Sequence, residues 1–436
     1  MFSRLKLPTL LICFAALIFS SGFSSPGQTN RLLAQGDYGA DVRTLQEQLQ
    51  QLGYFQASPT GYFGPLTALA VTGLQKDARL RADGIVGPQT RAAIDALLQR
   101  KSSRPRIVHG YYTGAEGPLP SSAAVLAAQG GVLTQVAPFW YQLDPRGNGN
   151  LILQADVTRE EMRRVVKTAR EQDVKVLALV HNLLYNKGID GREAAHRVLA
   201  GKENRQALIK NLLAVIQENG FAGIEIDLEN IYPRDRQLFN QFIKELADAL
   251  APRQYYLSVA LPARLDEQTG LSWSDSFDYG TVGRYAHQVV IMAYDEHGVF
   301  SGAGPVASLP WVEKVICSVL REIPPARIIL GIPAYGFDWN EDREEPRYIS
   351  YAIAMATARR YQQPISWNER AQVPYFTYVD ENGSHHEVYF ENASSWAGKL
   401  DLAVKYNLGG VAVWRLGLED PKGWEVLKSK FPGRKL

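Results

Sequence analysis

In Ile224-Glu225-Ile226-Asp227-Leu228-Glu229, aliphatic and acidic side chains alternate without a break. An extended strand repeats every two residues at about 3.3 Å per residue, so the three carboxyl groups share one face, neighbours about 7 Å apart. With the aliphatic face packed on helices, the acidic face turns into the protein. Burying like charges is expensive, and at least one of these groups must hold a proton there. A protonated carboxylic acid beside a carboxylate is what cleavage of a glycosidic bond requires, because the leaving oxygen must receive a proton. Glu229, last in the run, is the candidate for that acid. The bland alternative is an edge strand with its acids in water, which fits poorly because strand patterns flank the run on both sides. A divalent metal is another use of three acids. No nearby histidine or third-strand carboxylate completes such a set, so neither a metal nor another cofactor is expected.

The elements that must position these acids are read from Arg106 onward. Short β-rich runs at Ile107–Tyr112, Leu133–Tyr141, Val174–Val180, Gly223–Leu228, Tyr256–Leu261, Gln288–Ala293, Ile328–Ile332 and Gly410–Trp414 alternate with helical patterns. The helical stretches include Glu160–Glu171, Arg205–Asn219 and Asp235–Leu250. Such alternation predicts an α/β fold, a (β/α)8 TIM barrel over residues 106–432, with Glu229 at its C-terminal mouth. An open doubly wound sheet is the alternative, but no glycine-rich phosphate fingerprint follows the first strand. The seventh and eighth strands are too far apart for a simple connection. A helix at Tyr351–Tyr361 and a hairpin, Tyr375–Val379 with His386–Phe390 around Asn382-Gly383, predict a small α+β insertion over about 340–392.

The first residues have another character. Arg4 and Lys6 precede an apolar run from Leu7 to Phe19 and the small residues Ser20-Ser21-Gly22. This reads as a secretory signal within residues 1–34, cut somewhere between Gly22 and Ala34. The run falls short of the roughly 20 apolar residues a bilayer span needs, and an uncleaved anchor is the alternative. Without residues 1–34 the formal charge of +2 becomes nearly balanced, so no broad attraction for nucleic acid or a lipid surface is expected. With 46% hydrophobic and 21% charged residues, the remainder reads as an ordinary soluble protein, secreted and monomeric. Cys13 falls in the signal and lacks the small residues expected before a lipidated cysteine. Cys317 is left without a disulfide partner, and the helical pattern Trp311–Leu320 reads it as a buried small apolar residue.

Residues 35–99 nearly repeat themselves. Thr60-Gly61-Tyr62-Phe63-Gly64-Pro65-Leu66-Thr67 recurs as Asp83-Gly84-Ile85-Val86-Gly87-Pro88-Gln89-Thr90, each a glycine turn leading into a helix that begins at proline. Val42, Leu45, Leu49 and Leu52 recur at helical spacing before them and stop at Gly53. A small all-α, three-helix domain is expected, joined to the barrel by a linker over 100–105. These motifs, with Gly36 to Val42 and Leu52-Gly53-Tyr54, resemble the helical peptidoglycan-binding domain of bacterial wall enzymes. The resemblance implies wall glycan or stem peptide as ligand; a helical spacer with no ligand is the alternative.

The large domain carries a second resemblance. Gly223 to Glu229 is similar to the signature Asp-x-x-Asp-x-Asp-x-Glu of glycoside hydrolase family 18. Ile291-Met292-Ala293-Tyr294-Asp295 resembles that family's Met-x-Tyr-Asp strand, and Gly409 to Gly417 its last strand with a tryptophan floor. Ile332 to Trp339 and Tyr389-Phe390-Glu391-Asn392 look most like the spore-cortex and wall-lytic branch. The family's mechanism is substrate-assisted. It implies that Glu229 protonates the glycosidic oxygen and later activates water, while the sugar's own 2-acetamido oxygen attacks the anomeric carbon. Asp227 would orient that amide, Tyr294 would hydrogen-bond its carbonyl oxygen, Trp414 would floor the reacting sugar, and Asp295 would position a hydroxyl or Asp227. One position departs from the pattern: the inner acid is Glu225, a methylene longer than aspartate. Trp140 and Asn182, at the ends of the second and third strands, are further candidates for the sugar groove, and His385-His386 near the hairpin turn reads as solvated. The expected activity is an N-acetylglucosaminidase acting on peptidoglycan or spore cortex. Chitin is the rival substrate, and a non-catalytic glycan-binding barrel the rival function.

Overall fold

The structure, a computed structural model, describes residues 31–102, 106–184, 190–265, 274–343 and 346–431. Most of the expected signal, residues 1–30, lies outside the described residues. The chain forms two compact units that divide between Leu98 and Gln99.

The first unit contains α1 (Ala40–Gln51), α2 (Pro65–Asp77) and α3 (Pro88–Ser102). The inward stripe of α1 is Val42, Leu45 and Leu49, and it packs with Phe63, Val71, Leu74, Val86 and Ile94. The two sequence repeats fold alike because each is clamped by the helix before it. Gln46 is buried; its Nε2 donates to the Tyr62 carbonyl and to Thr67 Oγ1, both at 2.9 Å, and its Oε1 accepts the Gly61 N–H at 2.8 Å. Gln75 does the same one repeat later, to the Ile85 carbonyl at 3.0 Å, Thr90 Oγ1 at 3.1 Å and the Gly84 N–H at 2.9 Å. Gly61 (φ +77°) and Gly84 (φ +72°) take the left-handed turn that these clamps hold. The repeat therefore extends back to Leu45-Gln46 and Leu74-Gln75. Its edges also differ from expectation. Leu33 is buried and bridges Val86, so the unit begins before residue 35, and α3 runs on to Ser102 through part of the expected linker.

The second unit is a closed barrel of eight parallel strands: β1 (Ile107–Tyr112), β2 (Gln135–Pro138), β3 (Lys175–His181), β4 (Gly223–Asp227), β5 (Tyr256–Pro262), β6 (Gln288–Met292), β7 (Ile328–Pro333) and β8 (Gly410–Trp414). Neighbours pair in chain order, and β1 pairing β8 closes the ring. The expected strand Leu133–Tyr141 stops at Pro138, where the Phe139 N–H turns to the Tyr112 carbonyl. A short strand, Tyr141–Leu143, then pairs with β3 and with Leu151–Leu153. The insertion begins at Tyr335, earlier than expected. It is a five-stranded antiparallel sheet in the order Arg347–Ser350, Tyr335–Asn340, His385–Tyr389, Val373–Val379, Ser366–Asn368. Helix Tyr351–Arg360 covers one face, packing Ala354 and Ala358 on Phe376, Val388 and Phe390. On the other face Tyr335, Phe337 and Trp339 join the barrel's core.

Two readings of single residues are corrected. Cys317 is exposed, its Sγ 3.5 Å from the Tyr406 hydroxyl. Helix Leu309–Val319 buries Val312, Val315, Ile316 and Val319, and that spacing leaves Cys317 on the opposite side. His386 is not solvated: its Nδ1 lies 2.7 Å from Asp338 Oδ1, and Asp338 also accepts from Tyr378 and Arg347. Its neighbour His385 is the exposed one. No helix among the described residues is long and apolar enough to cross a membrane.

Candidate active site

Strand alternation along β4 turns Glu225 and Asp227 into the barrel, level with Leu179 and His181 of β3. Both carboxyl groups are buried, and Glu229, two residues beyond Asp227 at the C-terminal mouth, is partly exposed. Space for them exists because the surrounding strands place small residues at this level: Ala137, Ala260 and Ala412 line the interior with Leu179 and Val290. On β7, Gly331 makes room for the Tyr294 ring; a Cβ there would lie 3.0 Å from Tyr294 Cε1 and 2.6 Å from the Ile291 carbonyl oxygen.

The innermost acid is held from the opposite wall. Tyr111 of β1 donates its hydroxyl to Glu225 Oε1 at 2.6 Å, and His109 Nε2 stands 3.7 Å from Glu225 Oε2. The extra methylene of glutamate is thus accommodated by a hydroxyl and an imidazole across the barrel. Asp227, the middle acid, has one buried oxygen, Oδ1, with no hydrogen-bond partner among the described residues. Burial, then the charges of Glu229 and Glu225, push its pKa well above the carboxylate range. Burial first, and then Asp295, raise the Glu229 pKa to about 7. A carboxyl group titrating there can both give and take a proton near neutrality.

The end of β6 supplies the other wall. Tyr294 follows Met292 and Ala293 and is nearly buried, its ring edge-on to Tyr335 at 6.2 Å. Asp295 turns through a left-handed φ of +62°, a conformation aspartate tolerates better than most residues, and accepts a hydrogen bond from the Tyr335 hydroxyl. Asp295 is exposed at the mouth, but the protein crowded around its carboxyl partly desolvates it and raises its pKa, while that bond opposes the rise. Trp414 closes β8, half-buried, edge-on to Tyr111 at 5.1 Å and to Phe139 at 5.6 Å. Glu225, Asp227, Glu229, Tyr294, Asp295 and Trp414 therefore gather at one end of one barrel.

Trp140 and Asn182 do not face that space. Trp140 lies in the outer layer against Tyr112 and Phe221, and the inward aromatic is its neighbour Phe139, stacked on His181 at 3.9 Å. One step along an extended chain reverses the side, so Trp140, expected in the groove, faces outward and Phe139 faces in. Asn182 is buried and spends its Nδ2 on backbone, donating to the carbonyls of Asn230 at 3.0 Å and Gly191 at 3.2 Å. It tethers the peptide that follows Glu229. Tyr111, His109 and Tyr335 are the residues sequence reasoning missed. His109 and Tyr111 sit at alternate positions of an otherwise apolar strand, which is the signal that could have found them. Among the described residues no group of three or more His, Cys, Asp or Glu is placed to hold a metal ion.

Comparison with known proteins agrees with this geometry. Residues 147–419 match the model of "Glycosyl hydrolases family 18", and residues 38–94 that of "Putative peptidoglycan binding domain". The chain is 32% identical over 307 residues to the "Putative sporulation-specific glycosylase YdhD" of Bacillus subtilis, covering 70% of each. It is 34% identical to the cortical fragment-lytic enzyme of Bacillus anthracis over 51% of this chain, and spans about half (53%) of that relative's length. Among solved structures, the Bacillus megaterium spore cortex-lytic enzyme SleL matches with a TM-score of 0.68 at 27% identity, covering 77% of this chain and 76% of that one. A chitinase from Chromobacterium violaceum matches at 0.69 and 28% identity, covering 76% of this chain and 100% of its own. An eight-stranded barrel with paired acids at its mouth and a helical wall-binding-type module before it thus meets its relatives in both parts: the chain belongs to glycosyl hydrolase family 18, and it is a glycosidase.

Proposed function

We propose that this glycosidase cleaves β-1,4 bonds at N-acetylglucosamine in peptidoglycan or spore cortex by a retaining, substrate-assisted mechanism. The observation that carries the reading is the partly exposed Glu229, titrating near 7 two residues from the buried Asp227. Glu229 gives its proton to the leaving glycosidic oxygen as the bond to the anomeric carbon breaks. The acetamido oxygen of the same sugar bonds that carbon, forming a cyclic oxazolinium. Asp227, whose Oδ1 has no partner among the described residues, accepts the amide N–H, and the positive charge developing there favours its ionised form against the burial that raises its pKa. Tyr294 hydrogen-bonds the acetamido oxygen, and Trp414 lies under the ring. Glu229, now ionised, takes a proton from water, which opens the oxazolinium with net retention. Glu225, bonded to Tyr111, supports Asp227 from below, and Asp295 holds the upper wall through Tyr335.

The cortical and spore relatives and the N-terminal match favour wall glycan as substrate, and action outside the cell follows from it. Similarity to the Chromobacterium chitinase supports chitin as a second reading. Purified cortex and vegetative wall, incubated with wild type and with Glu229→Gln, separate these. We expect release of reducing N-acetylglucosamine ends by wild type and a loss of about 10³-fold or more in the variant. Equal release by both proteins, or turnover of chitin oligomers with no muropeptide product, overturns the wall reading.

A further inference from the structure

The ten exposed large hydrophobic side chains among the described residues are unevenly placed. Six of them, Leu32, Tyr38, Tyr62, Leu66, Leu69 and Ile85, belong to the small N-terminal unit, and only four to the much larger barrel unit. A small domain gains nothing in stability from leucines in water, so such a face calls for an occupant.

The internal repeat shows which of these side chains the scaffold itself requires. Residues 61–69 and 84–92 share one pattern of buried and exposed positions, position for position. At the exposed positions the first copy carries Tyr62, Leu66 and Leu69; the second carries Ile85, Gln89 and Ala92. Glutamine and alanine satisfy the same backbone, so the leucines of the first copy are not there to fold it. They are largely in solvent, Leu66 at 62% and Leu69 at 70% exposure, one helical turn apart on α2. Tyr62 lies just before that helix and bridges Tyr38, which is 79% exposed, so the two tyrosine side chains stand on the same side of an antiparallel pair. Among the described residues neither ring packs on the other or on another aromatic ring.

We propose that Tyr38, Tyr62, Leu66 and Leu69 form the face by which the first repeat docks on the sugar backbone of the wall glycan. The proposal rests on the reading of this unit as a wall-binding module and names the face and the part of the wall it takes. Tyrosine offers a flat apolar ring with a polar rim, which suits the C–H faces and N-acetyl methyl groups of an amino-sugar strand. These four side chains carry no charge, whereas stem peptides present carboxylates and are better met by cations. The second repeat, with Gln89 and Ala92, then serves as scaffold.

The test uses the full-length protein and purified wall in a sedimentation assay. Replacing Tyr62, Leu66 and Leu69 together by serine lowers wall affinity by about tenfold or more, while the unfolding temperature stays within a few degrees of wild type, as for surface changes elsewhere. The paired control Gln89→Ser with Ala92→Ser binds as wild type. Soluble N-acetylglucosamine oligomers displace the wild type from wall, and free stem tetrapeptide does not. If wild type itself fails to sediment with wall, the wall-binding reading of the module falls and this proposal with it. If wild type binds and the triple variant binds equally, only the face is wrong. Displacement by the tetrapeptide, or a change in self-association with no change in wall affinity, also overturns it.

Discussion

Buried polar groups occur in both units, and the repeat clamps and the acidic strand treat them in opposite ways. In the N-terminal unit Gln46 and Gln75 are each sealed from water with both ends of the amide hydrogen-bonded to the turn they hold. On the acidic strand and facing it, Asp227 Oδ1, Glu225 Oε2 and His109 Nε2 are buried without a hydrogen-bond partner among the described residues. A satisfied buried amide adds stability and specifies one conformation; an unsatisfied buried carboxyl subtracts from it. The difference separates a device for folding from a device for reacting. The barrel tolerates its orphaned oxygens because an extensive apolar core packs around the strands that carry them.

Three measurements break or sharpen that contrast, the largest expected effect first. Asp227→Asn keeps the shape and one hydrogen-bond acceptor but loses the carboxylate, so kcat/KM on wall oligomers falls about 10²–10³-fold, as for removal of one preorganised electrostatic contact. Near-wild-type turnover would place Asp227 with the merely tolerated groups. Glu229→Gln tests the cost of the catalytic acid. Its pKa is raised in the folded protein from 4.5 to about 7, so between those values the folded state binds more protons than the unfolded state and stability falls as pH rises. At pH 8 the glutamine variant should therefore be the more stable by about 2–3 kcal/mol, with the gap closing by pH 4. Denaturant unfolding at both pH values reads this directly, and a gap independent of pH refutes it. Gln75→Ala leaves the Gly84 N–H and the Ile85 carbonyl without their clamp. We expect the N-terminal unit to lose about 1–3 kcal/mol, seen as an earlier calorimetric transition with the barrel's transition unmoved.

The barrel was legible in the sequence because each strand is a short apolar run bounded by turn residues, and seven of the eight expected strands lie within about two residues of those found. The acidic run on β4 was legible for the same reason: period-two alternation states which side chains share a face. What could not be read was contact across the barrel. Nothing in the local pattern of β1 says that Tyr111 reaches Glu225, since their separation of 114 residues is closed only by the fold. Pattern also failed where one residue decides the side. Trp140 and Phe139 differ by a single step, and Pro138 ends the strand just before them, so the alternation could not be carried through. The exposure of Cys317 is not legible because its helix is rich in apolar residues overall, while only one stripe of it is buried. In the small unit the repeat was visible, but the glutamines that make it a structural unit were not, because a buried amide looks like a surface residue in a list of types.

Gly331 carries a consequence for how such a protein can change over generations. It has no side chain, takes no part in any proton transfer and lies on β7, yet a Cβ there would crowd both the Ile291 carbonyl of β6 and the ring of Tyr294 just beyond that strand. Added bulk there presses on the Ile291 carbonyl and on the Tyr294 ring together. Substitution at this one position of β7 is therefore filtered through the tyrosine that follows β6, so sequence drift in the barrel wall is confined at a place where nothing reactive is found.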